Sequence, residues 1–119
     1  MKEIIIKTKS YAFAIRIVRL YKYLCSEKKE YILSKQLLRC GTSVGALIRE
    51  AEHAESRADF RHKLSVAQKE INETIYWLSL LKDTRFLIDE QYSSVEKDAI
   101  EIIKILTSII KKTKLTTNN

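Results

Sequence analysis

SKQLLRCGTSVGALIREAEHAESRADFRHKLSVAQKEINETIYWLSLL, running from Ser34 to Leu81, decides the fold. Its apolar residues recur at alternating steps of four and three, the repeat of a helix with one apolar side. In the first half Leu37, Gly41, Val44, Ile48 and Ala51, with Leu33 just ahead of them, share a face. In the second half Phe60, Leu64, Ala67, Ile71, Thr74, Leu78 and Leu81 form a heptad-like seam. Between the halves lies S-R-A-D (Ser56–Asp59), which has the form of a helix start. A serine there accepts from the amide three residues on, and the aspartate reaches back. Two helices are therefore expected, one over about Leu33–Ala54 and one beginning at Ser56. Gly41 and Gly45 are four apart and share a face. A glycine inside a helix costs about 1 kcal/mol relative to alanine, so close approach of a neighbouring helix is the expected compensation, with a kink near Gly41 as the alternative.

The flanks extend the pattern. Ala14, Ile17, Val18, Tyr21, Leu24 and Cys25 gather on one side of a helix expected over Ser10–Ser26. Residues 3–9 read as an extension of that helix or a short arm, and Ser26–Glu30 (SEKKE) as a polar turn. A last helix is expected over Gln91–Lys112, with Tyr92, Val95, Ala99, Ile102, Leu106 and Ile109 in its seam and a frayed tail over 114–119. Four helices joined by short connections predict one all-α domain over 1–119, an up-down-up-down antiparallel four-helix bundle. The chain has no proline, the strongest helix breaker. Val66, Ile75, Tyr76, Trp77 and Leu80, with Ile100, Ile105 and Ile110, lie off the seams. That spare apolar surface suggests an oligomer interface through Val66, Tyr76, Trp77 and Leu80.

The 119 residues carry a net charge of +7 with an uneven distribution. Residues 1–49 hold 11 Lys/Arg against 3 Asp/Glu, while residues 50–60 hold 1 against 4. Lys9, Arg16 and Arg19 cluster with Tyr23 opposite the first apolar face. Lys35, Arg39 and Arg49 line up opposite the second. Such stripes suit a phosphate backbone, with Tyr23 available to stack on an unpaired base. Ordinary solvated faces would look the same.

Candidate chemistry is sparse. Glu50 and His53 are spaced E-x-x-H, a di-iron ligand pattern in helical bundles, and Asp59 and His62 repeat the spacing. Glu50 and His53 lie nearly opposite Val44 and Ile48, so they should face solvent, and the third and fourth seams offer no inward glutamate. A metal-dependent oxidase is the weakest reading. Cys25 and Cys40 sit in apolar patterns without a base and read as reduced, largely buried hydrophobes. Two glycines cannot build a phosphate loop. No catalytic residue, metal or cofactor is expected. The start MKEIIIKTKS has three consecutive apolar residues, so neither a secretory leader nor a membrane span is expected, and the cytoplasm is the expected location.

Six motifs place the chain beside a known family. They are L-S-K-Q-L-L-R (Leu33–Arg39), G-T-S-V-G-A (Gly41–Ala46), R-E-A (Arg49–Ala51), S-R-A-D-F (Ser56–Phe60), H-K-L (His62–Leu64) and K-E-I-N-E-T-I-Y-W-L (Lys69–Leu78). The chain resembles the bacterial 23S rRNA intervening-sequence proteins, which are related to the accessory variability proteins of diversity-generating retroelements. The resemblance implies a four-helix bundle assembled as a ring-shaped homopentamer, with no enzymatic activity. It implies nucleic acid and a protein such as a reverse transcriptase or a ribosome-associated factor as candidate partners. Gln36, Arg39, Glu50, Asp59, Lys69 and Glu70 fall on motif positions, with Asp59 expected to cap and Lys69 to pair with Glu73. Leu47 stands where the family usually has asparagine, so packing is expected to replace a polar contact there. The favoured reading is a non-enzymatic bundle that binds RNA or DNA through its basic faces, and the rival is a protein-interaction scaffold.

Overall fold

The computed structural model describes residues 1–117 and contains four helices: α1 (Lys2–Ser26), α2 (Leu33–Ala51), α3 (Arg57–Asp83) and α4 (Asp89–Thr117). Each helix packs on the next, and α4 closes the bundle against α1. Cross-helix pairs fix the directions. Lys7 meets Glu52 on the α2 side while Cys25 meets Ser34, so α1 and α2 are antiparallel. Arg39 meets Glu70 and Glu50 meets Lys63, which sets α2 against α3. Gln68 meets Thr107 and Ser79 meets Tyr92, which sets α3 against α4. The result is an up-down-up-down bundle measuring 52 × 22 × 20 Å.

One core runs along its axis. The expected seams of α2, α3 and α4 all point into it, with Leu33, Phe60 and Tyr92 half-buried at their ends. On α1 the inward face is rotated from the expected one. Ile6, Phe13, Ile17 and Leu24 are buried, whereas Ala14, Val18, Tyr21 and Cys25 are half-buried. The reason is visible in the sequence: α1 is apolar almost all round, so a wheel does not single out one face. Residues 3–9 belong to α1, which carries Ile6 into the core. The helix α4 continues through Thr117 where a frayed tail was expected from 114; the last two residues of that tail lie outside the described residues.

The glycines do bring two helices together. A Cβ at Gly41 would lie 2.8 Å from both Cγ1 and Cγ2 of Ile17, and one at Gly45 would lie 3.3 Å from the backbone oxygen of Ser10. Between them α2 is unbroken. Leu47, half-buried, packs against the core.

The helix ends show how the connections are held. Ser56 is extended (φ −158°, ψ 169°), its Oγ accepts from the Asp59 amide at 3.0 Å, and Asp59 Oδ2 accepts from the Glu55 amide at 3.1 Å. Ser56→Ala is expected to cost about 1 kcal/mol in urea unfolding, while Ser56→Thr keeps most of the cap. The start of α2 is capped from further back. Glu30, in the turn read as simply polar, is buried, and its carboxylate accepts from the amides of Ile32 and Leu33 at 3.0 Å and Ser34 at 2.7 Å. Ser34 Oγ donates to the Glu30 carbonyl at 2.9 Å. The end of α3 closes with Phe86 N–H on Leu81 O (2.8 Å) and Arg85 N–H on Lys82 O (3.0 Å), with Arg85 left-handed at φ 70°. This is the bond pattern that glycine usually terminates.

Candidate nucleic-acid interface

The expected basic stripes divide into paired and unpaired groups. On α1, Arg16 Nη1 binds Asp98 Oδ2 at 2.7 Å and the Ser94 carbonyl at 3.1 Å, and Lys9 pairs with Glu101. On α2, Arg39 bridges to α3: Nη1 binds Glu70 Oε2 at 3.0 Å and Nη2 binds Glu73. Ser43 Oγ donates to the same Glu70 oxygen at 2.7 Å, and Trp77 Nε1 donates to Glu73 at 3.0 Å. The indole N–H and then the guanidinium hold the Glu73 carboxyl below the usual range, and the Glu73 pairing raises Arg39. Glu73 therefore faces Arg39 and Trp77, where a pair with Lys69 was expected. Arg49 lies over the Tyr11 ring at 5.4 Å. Tyr23 is half-buried against the core, which leaves it little free face for stacking.

Lys9, Arg16 and Arg39 thus hold helices together, an arrangement invisible on a single-helix wheel because the acids come from elsewhere in the chain. Arg19 and Lys35 are exposed and have no acidic partner among the described residues. Of the nine cations on α1 and α2, Lys7, Lys9, Arg16 and Arg39 pair with an acid, Lys2 donates to Ser108 Oγ and Arg49 lies over Tyr11, which leaves Arg19, Lys22 and Lys35 open. Between α1 and α4 lies a groove of about 640 Å³, bordered by Lys9, Ile15, Arg16, Arg19 and Asp98. Tyr31 and Ile32, which no helical seam includes, are apolar residues that directly follow the polar run Ser26–Glu30.

The off-seam apolar residues behave unequally. Ile75, Trp77 and Ile105 pack against the core and Ile110 is buried. Val66 and Leu80 are half-buried, and Tyr76 is 58 % exposed with its ring edge-on to Trp77 at 5.0 Å. Of the four expected interface residues, Tyr76 is the one that presents a large free surface. A longer exposed stripe runs along α1: Ile4, Tyr11 and Ile15, with Thr8 between. These positions repeat at four and three, a second seam on the side away from the core.

Glu50 and His53 are exposed, and Glu50 lies 3.9 Å from Lys63. His62 is also exposed, and Asp59 is engaged in the α3 cap. Cys40 is buried, which pushes its thiol pKa up, and Cys25 is half-buried beside Ser34. Among the described residues no helix is long and apolar enough to cross a membrane.

Comparison with known proteins agrees with this geometry. A crystal structure of a protein of unknown function from the S23 ribosomal protein family of Bacteroides thetaiotaomicron superposes with a TM-score of 0.92. It is 58 % identical, and the match covers 93 % of this chain and 99 % of that one. No curated protein matches. The model of the 23S rRNA-intervening sequence protein family matches residues 2–108. With the same four-helix architecture and a match over nearly its whole length, the chain belongs to the 23S rRNA-intervening sequence protein family.

Proposed function

We propose that this protein is a non-enzymatic helical bundle that binds RNA or DNA and works as a homo-oligomer. The observation that carries the reading is the unpaired positive surface of α1 and α2, where Arg19, Lys22 and Lys35 are exposed and have no acidic partner among the described residues. Phosphates would displace no existing ion pair there, and each contact releases condensed counterions. The rRNA-related names of the family and of the crystallised relative are in keeping with it. In a pentamer, the assembly that family resemblance implies, five copies of 13.9 kDa would reach about 70 kDa and repeat the basic surface five-fold.

Salt titration tests the nucleic-acid part. Three phosphate contacts on a single strand predict about a twentyfold loss of affinity between about 50 and about 200 mM salt. Arg19→Glu with Lys22→Glu and Lys35→Glu is expected to weaken binding at least about tenfold and flatten that slope. The cations chosen leave the ion pairs of Arg16 and Arg39 intact, so loss of fold does not mimic loss of binding. A flat salt response in the wild type sinks the reading, and undiminished binding by the triple variant takes the contact away from Arg19, Lys22 and Lys35.

The α1 stripe of Ile4, Tyr11 and Ile15 supports a second reading, a scaffold recruiting a reverse transcriptase or ribosome-associated protein. Pull-down from nuclease-treated lysate separates the two, because a scaffold keeps its partner without nucleic acid. Light scattering on the purified protein reports whether the same stripe joins copies of this chain.

A further inference from the structure

At the end of the bundle where α1 and α3 finish, both connections contain a left-handed residue, and in both it is a cation: Lys29 (φ 55°) and Arg85 (φ 70°). That conformation costs a non-glycine residue about 1–2 kcal/mol, and glycine would adopt it freely. Both lie in the closing turn after a helix, where glycine is usual, and here each places an exposed cation at this end of the bundle. The same end displays apolar side chains the core does not use. Tyr31 is 51 % exposed, Ile32 76 % and Ile88 60 %.

The connection that carries Tyr31 is nonetheless fixed. Glu30 N–H donates to the Leu24 carbonyl at 3.0 Å, and the Glu30 carboxylate holds the amides of Ile32, Leu33 and Ser34. Tyr31 therefore sits between two anchored residues with half its surface in solvent. The local charge is positive. From Arg19 to Lys35 there are five cations, and apart from Glu30, which faces inward onto amides, Glu27 is the one carboxylate. At the other connection Asp83 lies 3.9 Å from Lys82, and Asp89 and Glu90 stand in the first turn of α4, where the helix dipole offsets their charge.

We propose that this end of the bundle binds single-stranded nucleic acid, with an unpaired base stacked on Tyr31, the flanking phosphates held by Lys28 and Lys29, and Arg85 on the other connection of the same end meeting the strand where it continues. The proposal rests on the nucleic-acid reading above and deepens it by committing to the single strand. A ring on a fixed loop needs an open base face, which a duplex withholds along its length and a single strand supplies. Because the loop is already ordered, little entropy is lost on binding. Tyr31 takes the stacking role that the sequence suggested for Tyr23.

The test uses the full-length protein and fluorescence anisotropy with a labelled single-stranded RNA of about 20 nucleotides, long enough for one site. The same RNA annealed to its complement serves as the duplex probe. The wild type is expected to prefer the single strand. Tyr31→Ala should lose about tenfold on the single strand and nothing on the duplex, while Tyr31→Trp retains binding. Thermal melting should leave Tyr31→Ala where the wild type is, since the ring is outside the core. If the wild type binds the single strand and Tyr31→Ala binds it equally well, this site is overturned and the nucleic-acid reading stands. An equal loss on strand and duplex also overturns the stacking role. A wild type that binds neither probe at low salt overturns both readings.

Discussion

Gly41→Leu is expected to destabilise the bundle by about 3 kcal/mol or more, and Gly41→Ala by about 1–2 kcal/mol. The cause is direct. The first side-chain atom at this position would stand 2.8 Å from two branch carbons of Ile17, which is fully buried. Branch carbons next to the backbone cannot swing aside as the tip of a long side chain can, so α1 and α2 must part. Alanine regains up to about 1 kcal/mol of helix propensity, which offsets part of the clash. Leucine adds further atoms to a filled space and has no such offset in proportion. Urea unfolding measures both. A companion pair tests the mechanism: Ile17→Ala alone opens a cavity, and adding Gly41→Ala to it should cost much less than Gly41→Ala costs in the wild type. Additive effects would show that Gly41 matters for some reason other than Ile17. The contact at Gly45 is 3.3 Å from the Ser10 backbone, so Gly45→Ala should have the smaller effect.

Glu30→Ala is expected to cost about 2–4 kcal/mol, because three amides, one buried and two part-buried, lose one acceptor. The effect depends on pH in a definite direction. Burial alone would raise the Glu30 pKa, but the N–H donors of Leu33, Ser34 and Ile32 outweigh it, and the folded value lies below the ordinary 4.5. The charged form is thus the one folding favours. Its contribution is fully present above the ordinary value and is lost as the pH falls through the lowered folded value. Melting temperatures of the wild type and Glu30→Gln from neutral pH down to about 3 check this, since that range spans the ordinary glutamate pKa. The wild type should be the more stable at neutral pH, and the gap should narrow below about 4.5. A gap that stays constant would mean that the carboxylate charge is not what caps α2.

Both residues belong to parts of the fold that the sequence announces unequally. Gly41 and Gly45 stand four apart in an otherwise strong helix, so their cost is visible in the string and their use can be anticipated. Glu30 gives no such signal. It lies in SEKKE, a run that reads as solvated, and only the turn of the chain after α1 carries its carboxylate under the first amides of α2. Arg85 is similar: a helix end of its kind is recognised by glycine, and here a cation takes the position.

The basic residues show the same limit on a larger scale. A wheel places Lys9, Arg16 and Arg39 on outward faces, and they are indeed at the surface. Their partners Glu101, Asp98, Glu70 and Glu73 come from helices that lie alongside only after the bundle forms. Trp77 reads as spare apolar surface and instead joins Arg39 at Glu73 through its indole N–H.

By itself the sequence determined the class of fold, the four helices, the inward seams of α2, α3 and α4, and the cap at Ser56. These follow from periodicity and local hydrogen bonding, which act between residues a few positions apart. Only the tertiary structure decided which face of α1 enters the core, which cations remain unpaired, and that Tyr31 stands out from a fixed turn. The apolar residues of α1 surround it, so its own sequence gives nearly equal weight to several faces. The choice falls to the groove that α2 and α4 leave, with Phe13 and Ile17 buried in the bundle and Gly41 admitting Ile17.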